Sequence, residues 1–180
     1  MASASRPPSG VDAHRTATLR DGTAATVRRL GPDDFDDVLA LADSLTGDEK
    51  YLRFFTAHPR HMPQWASSVT EQAPAGVSLG AYDHGELVGV ANYIPLPESG
   101  VAEVAIVVAH DEHERGIGTA LLSELADIAR HSGQHHLVAD VLAENHDVRR
   151  LLDDAHVPAT WHRDGSVFDV DVDLDALPEW

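Results

Sequence analysis

The segment from Val104 to His131 constrains the fold of this chain most. An apolar, β-like run, Val104 to Ala109, leads through His113-Glu114-Arg115-Gly116-Ile117-Gly118 into Thr119-Ala120-Leu121-Leu122. From Gly116 to His131 the pattern turns helical, with Ile117, Leu121, Leu125 and Ile128 on one stripe. A strand, a glycine-bearing turn and a helix start together make an anion site. The glycines let main-chain N–H groups approach a phosphate, and the helix N-terminus adds partial positive charge. The segment is predicted to hold a phosphate-bearing ligand.

Composition narrows what surrounds it. The 180 residues, 43% of them hydrophobic, suit one globular domain with a sizeable core. Residues 1–15, rich in Ser, Pro and Ala, are expected to form a disordered leader, and 16–180 the domain. The leader has no apolar stretch of the signal-peptide kind, and no run approaches a membrane span, so the expected location is cytoplasmic, with no membrane partner. The absence of cysteine excludes disulfides, thiolate catalysis and cysteine-ligated zinc. Thirty acidic residues against 13 basic ones give a formal charge of −17, which repels nucleic acid.

Local patterns order the rest. Thr23 to Leu30 reads as a strand, and Gly31-Pro32-Asp33-Asp34 as a turn with helix-start chemistry. Phe35 to Ala42 has helical spacing, with Gly47 expected to end that helix, and Asp48 to Phe55 reads as a short helix or turn. Pro59, Pro63 and Pro74 are expected to break up the stretch after Phe55. Val77 to Tyr82 and Leu87 to Ile94 read as a hairpin around Asp83-His84-Gly85-Glu86. Val101 to Ala109 is a strand carrying one charge, Glu103. Gly133 is expected to cap the helix that ends at His131. A strand (His136 to Leu142), a short helix (Asn145 to Ala155) and a closing hairpin (Thr160 to His162, Ser166 to Val172) complete the chain. The alternation predicts a single α/β domain, a mixed twisted central sheet flanked by helices.

These residues resemble a known family. His113-Glu114-Arg115-Gly116-Ile117-Gly118 is similar to the (Gln/Arg)-x-x-Gly-x-(Gly/Ala) acyl-CoA signature of the GNAT N-acetyltransferases. Val138 to Leu142, Asn145 and the helix after it resemble the family's second CoA-contacting block. More narrowly, Val27-Arg28-Arg29-Leu30, Asp48 to Phe55 and Ala102-Glu103-Val104-Ala105 resemble a prokaryotic protein lysine acetyltransferase branch. The excess of Asp (20 residues), the single lysine, Lys50, and the lack of Cys also resemble proteins of salt-in haloarchaea. A high-GC genome would explain the lysine deficit but not the acid excess.

The resemblance implies an N-acetyltransferase with acetyl-CoA as cosubstrate and a primary amine as acceptor, a protein lysine or a small amine. A homodimer is compatible with it. Glu103 is the expected general base. It shares a face with Ala105, Val107 and Ala109, and burial on such an apolar face raises a carboxylate's pKa toward neutrality. An edge-strand Glu facing solvent is the alternative. The backbone of Val107, Val108 and Ala109 is expected to pair with pantetheine. The N–H groups of Arg115, Gly116, Ile117, Gly118 and Thr119 would cradle the pyrophosphate, with His113 and the Arg115 side chain beside it. A solvated charge is the alternative for Arg115. Asn145 would contact pantetheine or cap the next helix. Tyr51, Arg53, Phe54 and Phe55 would wall the acceptor side, or simply pack in the core.

Two positions depart from the family pattern. His113 stands where Gln or Arg is usual, and Leu152 where many members carry a Tyr that protonates the leaving thiolate. A non-catalytic acyl-CoA-binding module is therefore the reading from another class. The histidine pairs His58/His61 and His135/His136 lack a third ligand nearby in sequence, so no metal is expected.

Overall fold

In the computed structural model, which describes residues 14–55, 59–71 and 76–177, eight strands form one sheet in the order β1-β2-β3-β4-β5-β6-β8-β7. They are β1 (Arg15–Thr18), β2 (Ala24–Arg29), β3 (Val77–Asp83), β4 (Glu86–Pro95), β5 (Val101–Val108), β6 (His136–Leu142), β7 (Thr160–Asp164) and β8 (Val167–Asp173). Only the β5–β6 pair is parallel. A parallel neighbour needs a crossover, and the helix α4 (Ile117–His131) supplies it. The other helices are α1 (Phe35–Ser44), α2 (Gly47–Phe54), α3 (Met62–Thr70) and α5 (His146–Asp154).

Strand alternation divides two cores. On one face α4 buries Ile117, Leu121 and Leu125 completely, in a cluster that includes Leu79, Ala91, Tyr93, Ala102 and Leu137. Each such side chain contributes ~1.5–3 kcal/mol relative to exposure. On the other face Val38 and Leu41 of α1 and Ala66 and Val69 of α3 cluster with Val90 and Val107. Glu103 and Ala105 lie on this second face with Val107, because β-strand side chains alternate.

Several boundaries differ from the sequence pattern for identifiable reasons. Gly47 opens α2 instead of closing α1, because Thr46 is a better N-cap. The Thr46 hydroxyl accepts from the Glu49 N–H at 3.2 Å, and Glu49 accepts in return from the Thr46 N–H at 2.8 Å. Pro63 does not break the chain, because it sits in the first turn of α3, where no N–H is needed. β1 was not anticipated, and Arg15, assigned to the leader, belongs to it. Arg15 pairs with Val27 in register and its guanidinium donates to Glu124 of α4 at 2.9 Å. Pro74, His58 and residues 1–13 lie outside the described residues.

Candidate active site

The parallel pairing of β5 and β6 stops almost as soon as it begins. Only Val101, Ala102 and Glu103 have partners on β6, namely His136, Leu137 and Val138. β5 stays paired with β4 through Val108, and β6 stays paired with β8 through Leu142. The two strands are thus held by their outer neighbours while they part from each other. The opening is a cleft of about 320 Å³ lined by Glu103 to Val108, Ala139 to Val141 and the start of α4.

Backbone alternation decides what β5 offers the cleft. The Ala109 N–H donates to Val88 O at 2.8 Å, so it points to β4. In an antiparallel ladder alternate residues turn their N–H and C=O to the same neighbour. Val107 therefore also faces β4, and Val104, Ile106 and Val108 present their polar groups to the open side. Of the three residues expected to pair with pantetheine, only Val108 turns its backbone to the open side. Val107 lines the cleft only as part of the wall, and Ala109 is outside it.

Opposite β5 stands the helix start. Gly116 has φ 96°, a left-handed conformation that costs a side-chain-bearing residue ~1–2 kcal/mol. This turn directs α4 at the cleft. The first N–H to close inside the helix is that of Ala120, onto Gly116 O at 3.0 Å. The amides of Ile117, Gly118 and Thr119 precede it and are the helix's unsatisfied donors. A Cβ on Gly118 would lie 3.1 Å from Leu151 Cδ1, so glycine lets α5 close against the cradle.

Residues 41–155 match the profile of the Acetyltransferase (GNAT) family. The chain belongs to the GNAT acetyltransferase family. An acetyltransferase of Pseudomonas aeruginosa is 28% identical over 144 residues, covering 77% of each chain. The GNAT domain of S. lividans PAT superposes with a TM-score of 0.81 at 27% identity, over 89% of this chain and 96% of that one. YncA of Salmonella typhimurium, solved with its cofactor acetyl-CoA, shares the fold with a TM-score of 0.66 at 18% identity, over 86% and 96% of the two chains.

The GNAT family uses acetyl-CoA, and this cleft carries groups of the right chemistry for it. Free main-chain donors stand at the helix start, and the Arg20 and Arg150 side chains line the rim beside Glu114. Arg150 donates to Glu114 at 2.8 Å, and Arg20 pairs with Asp154 at 2.9 Å. Neither arginine stood out in the sequence, because each comes from a segment remote from the glycine turn.

The Arg115 side chain corrects an expectation. Its guanidinium turns away from the cleft, donating to Asp21 at 2.7 Å, Asp83 at 2.7 Å, Thr23 at 2.9 Å and Glu112. Asp83, Asp21 and Glu112 raise its pKa further, and hydrogen bonds from the Thr23 hydroxyl and N–H, followed by that from Arg115, hold Asp21 down to about 2. Arg115 therefore ties the β1–β2 turn and the end of β3 to the glycine turn, and even its N–H is directed at Glu112 O, 3.4 Å away. Asn145 takes its alternative too. Its side chain accepts from the Val148 N–H at 3.4 Å as the N-cap of α5, while also lining the cleft.

Glu103 stands at the vertex of the fork, opposite Ile94 on β4 and Val138 on β6. It is exposed, so the expected burial on an apolar face is not met. Across from it, α2 and the residue that ends it bring Arg53 and Phe55 to the cleft. Desolvation lowers Arg53 to about 10, and the Glu103 charge opposes that shift. Phe54 instead packs edge-on against Trp65 at 5.3 Å, and Tyr51 is exposed and outside the cleft lining. The acceptor wall drawn from the sequence thus reduces to Arg53 and Phe55. Leu152 is buried at the far side of the cleft.

His113, the unusual first residue of the motif, donates its Nε2–H to Val108 O at 3.1 Å. It thereby satisfies that carbonyl and leaves the Val108 N–H as the open donor. The His135/His136 pair is divided between two carboxylates, Asp175 and Asp171, each 2.9 Å away. Among the described residues no helix is long and apolar enough to cross a membrane.

Proposed function

We propose that this acetyltransferase transfers the acetyl group of acetyl-CoA to a lysine side chain of a protein, with Glu103 as general base. The observation that carries the reading is the fork: a lone carboxylate at its vertex, open β5 amides along one arm and unsatisfied α4 amides at its far end. Bound acetyl-CoA supplies the thioester carbonyl and the leaving thiolate. The amides of Gly116, Ile117, Gly118 and Thr119 hold the pyrophosphate, Arg20 and Arg150 add charge, and Asn145 keeps a free amide N–H for pantetheine. The Val108 N–H polarises the carbonyl. Glu103 takes one proton from the acceptor ammonium, through a water; the freed amine attacks the thioester carbonyl, and as the C–S bond breaks its nitrogen gives up a second proton to solvent to leave the amide. With Leu152 in place of a tyrosine, solvent protonates the thiolate.

A protein acceptor is favoured by what surrounds Glu103. Phe55 at 47% exposure and Ile94 at 54% are two of the three large exposed hydrophobics among the described residues; Phe55 lines the cleft and Ile94 lies opposite Glu103 on β4. Exposed apolar groups beside a reactive centre suit a docking protein surface better than a free small amine. The similarity to S. lividans PAT, a protein acetyltransferase, points the same way. The acidic surface suits any cationic acceptor and does not discriminate.

The test is release of CoA thiol from acetyl-CoA in molar salt, with an acyl-CoA synthetase and a panel of small amines as acceptors. Glu103→Gln should lower kcat by ~10²–10⁴-fold, the usual worth of a general base, and leave CoA affinity unchanged. Full turnover by that variant across pH refutes the base. Fast turnover of one small amine with every protein inert refutes the acceptor class.

A further inference from the structure

One cluster at the cleft rim has no part in acetyl transfer as described. Glu49 of α2 and His110 and His113 of the β5–α4 connection bring one potential ligand atom each within 4.8 Å of the others. Glu49 Oε1 is the hub, 3.0 Å from His110 Nδ1 and 3.5 Å from His113 Nε2. The His113 Nε2 is also 3.1 Å from Val108 O. Four donors at 2.0–2.1 Å around a tetrahedral ion stand ~3.3 Å apart, so these separations are those of neighbouring ligands in such a shell.

From this geometry we propose that Glu49, His110 and His113 form a binding site for a divalent ion of the zinc class, with Val108 O or water as fourth ligand. Two imidazoles and a carboxylate are the donor set of zinc sites with an open position. The carboxylate is already fixed. Its second oxygen accepts from the Thr46 N–H at 2.8 Å and the Thr46 hydroxyl at 2.9 Å, the arrangement that orients metal ligands elsewhere. Asp147 Oδ2, 4.0 Å from His113 Nδ1, stands behind the second imidazole. Access is open, since His110 is 67% exposed while Glu49 is only 12% exposed. On binding, the protons on His110 Nδ1 and His113 Nε2 leave to solvent and each ring takes one up on its other nitrogen, so both coordinate as neutral imidazoles and neither net proton count nor oxidation state changes. Its effect is to clasp α2, which carries Arg53 and leads into Phe55, to the connection that leads into the glycine turn. The inference rests on the cluster alone and holds whatever the acceptor is.

The experiment uses the full chain, stripped with chelator and free of CoA. Zn²⁺ is titrated against a chromophoric chelator, and Co²⁺ is followed by its visible absorption. One equivalent should bind, Co²⁺ should give the intense bands of a tetrahedral site, and Tm should rise with Zn²⁺. Outer ligands alone are worth ~10–100-fold in affinity, so His110→Ala and Glu49→Gln should each weaken binding at least ~100-fold. Gln keeps the helix cap, so that variant guards against a folding artefact. A paired variant, His135→Ala with His136→Ala, should bind as the parent does. Binding that survives His110→Ala and Glu49→Gln, that is lost only in the paired variant, or that is absent from the parent overturns the proposal.

Discussion

Asp34→Asn should destabilise the protein by about 2 kcal/mol at neutral pH, and the figure comes from the contacts. Arg28 donates to the two carboxylate oxygens at 2.9 and 2.6 Å, the Gly31 N–H donates at 2.8 Å and the Tyr82 hydroxyl at 2.9 Å. The Arg28 pair chiefly, with Gly31 and Tyr82, overcomes desolvation and lowers the Asp34 pKa from 3.8 to about 2. At about 1.36 kcal/mol per pH unit that drop is worth about 2 kcal/mol. The carboxylate is 9% exposed, so salt screens it little. Asn keeps the shape and an acceptor for Tyr82 but loses the charge. For a chain of this size the loss corresponds to ~4–8 °C in Tm.

The pH dependence makes the reasoning refutable. A carboxylate with a depressed folded pKa binds fewer protons folded than unfolded between about 2 and 3.8. Its stabilisation is therefore complete above the unfolded value and disappears as pH falls through the folded one, with about half gone at pH 3. Many other acids titrate in the same window, and self-repulsion falls as they do. Subtracting the variant's urea-unfolding free energy from the parent's at each pH removes this shared background. A difference under ~0.5 kcal/mol at pH 7, or one that stays constant down to pH 3, shows that the Arg28–Asp34 pair does not hold the start of α1 against β2 and β3 as its geometry requires.

Arg115→Gln should lower Tm while leaving CoA affinity in the folded protein unchanged, because the guanidinium faces Asp21, Asp83 and Thr23 and not the cleft. Isothermal titration with CoA checks it, and a large affinity loss at unchanged Tm would restore the phosphate role. His136 should titrate above its ordinary value by NMR, because Asp171 Oδ1 is 2.9 Å away, and Asp171→Asn should bring it back. Since the folded value is raised, this pair stabilises fully below the unfolded pKa and loses its effect as pH rises through the folded one. A His136 titration that does not respond to Asp171→Asn refutes it.

Elements set by local chemistry were legible. Alternation and β-branched residues located β6 from His136 to Leu142, and the apolar stripe and glycines located α4 to within one residue. The glycine turn was legible as an anion cradle because its chemistry is backbone geometry encoded by Gly116 and Gly118. The direction of the Arg115 side chain was not, because Asp21 and Asp83, the groups that capture it, come from other turns. Charge alone placed Arg115 by its neighbours in sequence, where any anion-binding role was conceivable.

The fork shows why the site as a whole exceeds its motif. A pattern of apolar residues says that Val101 to Val108 forms a strand, but not how far its second edge is paired. That length is fixed by competition: β4 holds β5 along its whole course, β8 holds β6 along its own, and only three residues of each remain in contact. Glu103 stands at the third, which is what makes one carboxylate on a strand into the group at the mouth of a cleft. Glu49 illustrates the same limit from the other side. It caps α2 through Thr46, a role written in the local sequence, and its remaining oxygen meets two histidines 61 and 64 positions onward. A pairing of that separation has no local signature, so a search for metal ligands among neighbouring histidines passes over it.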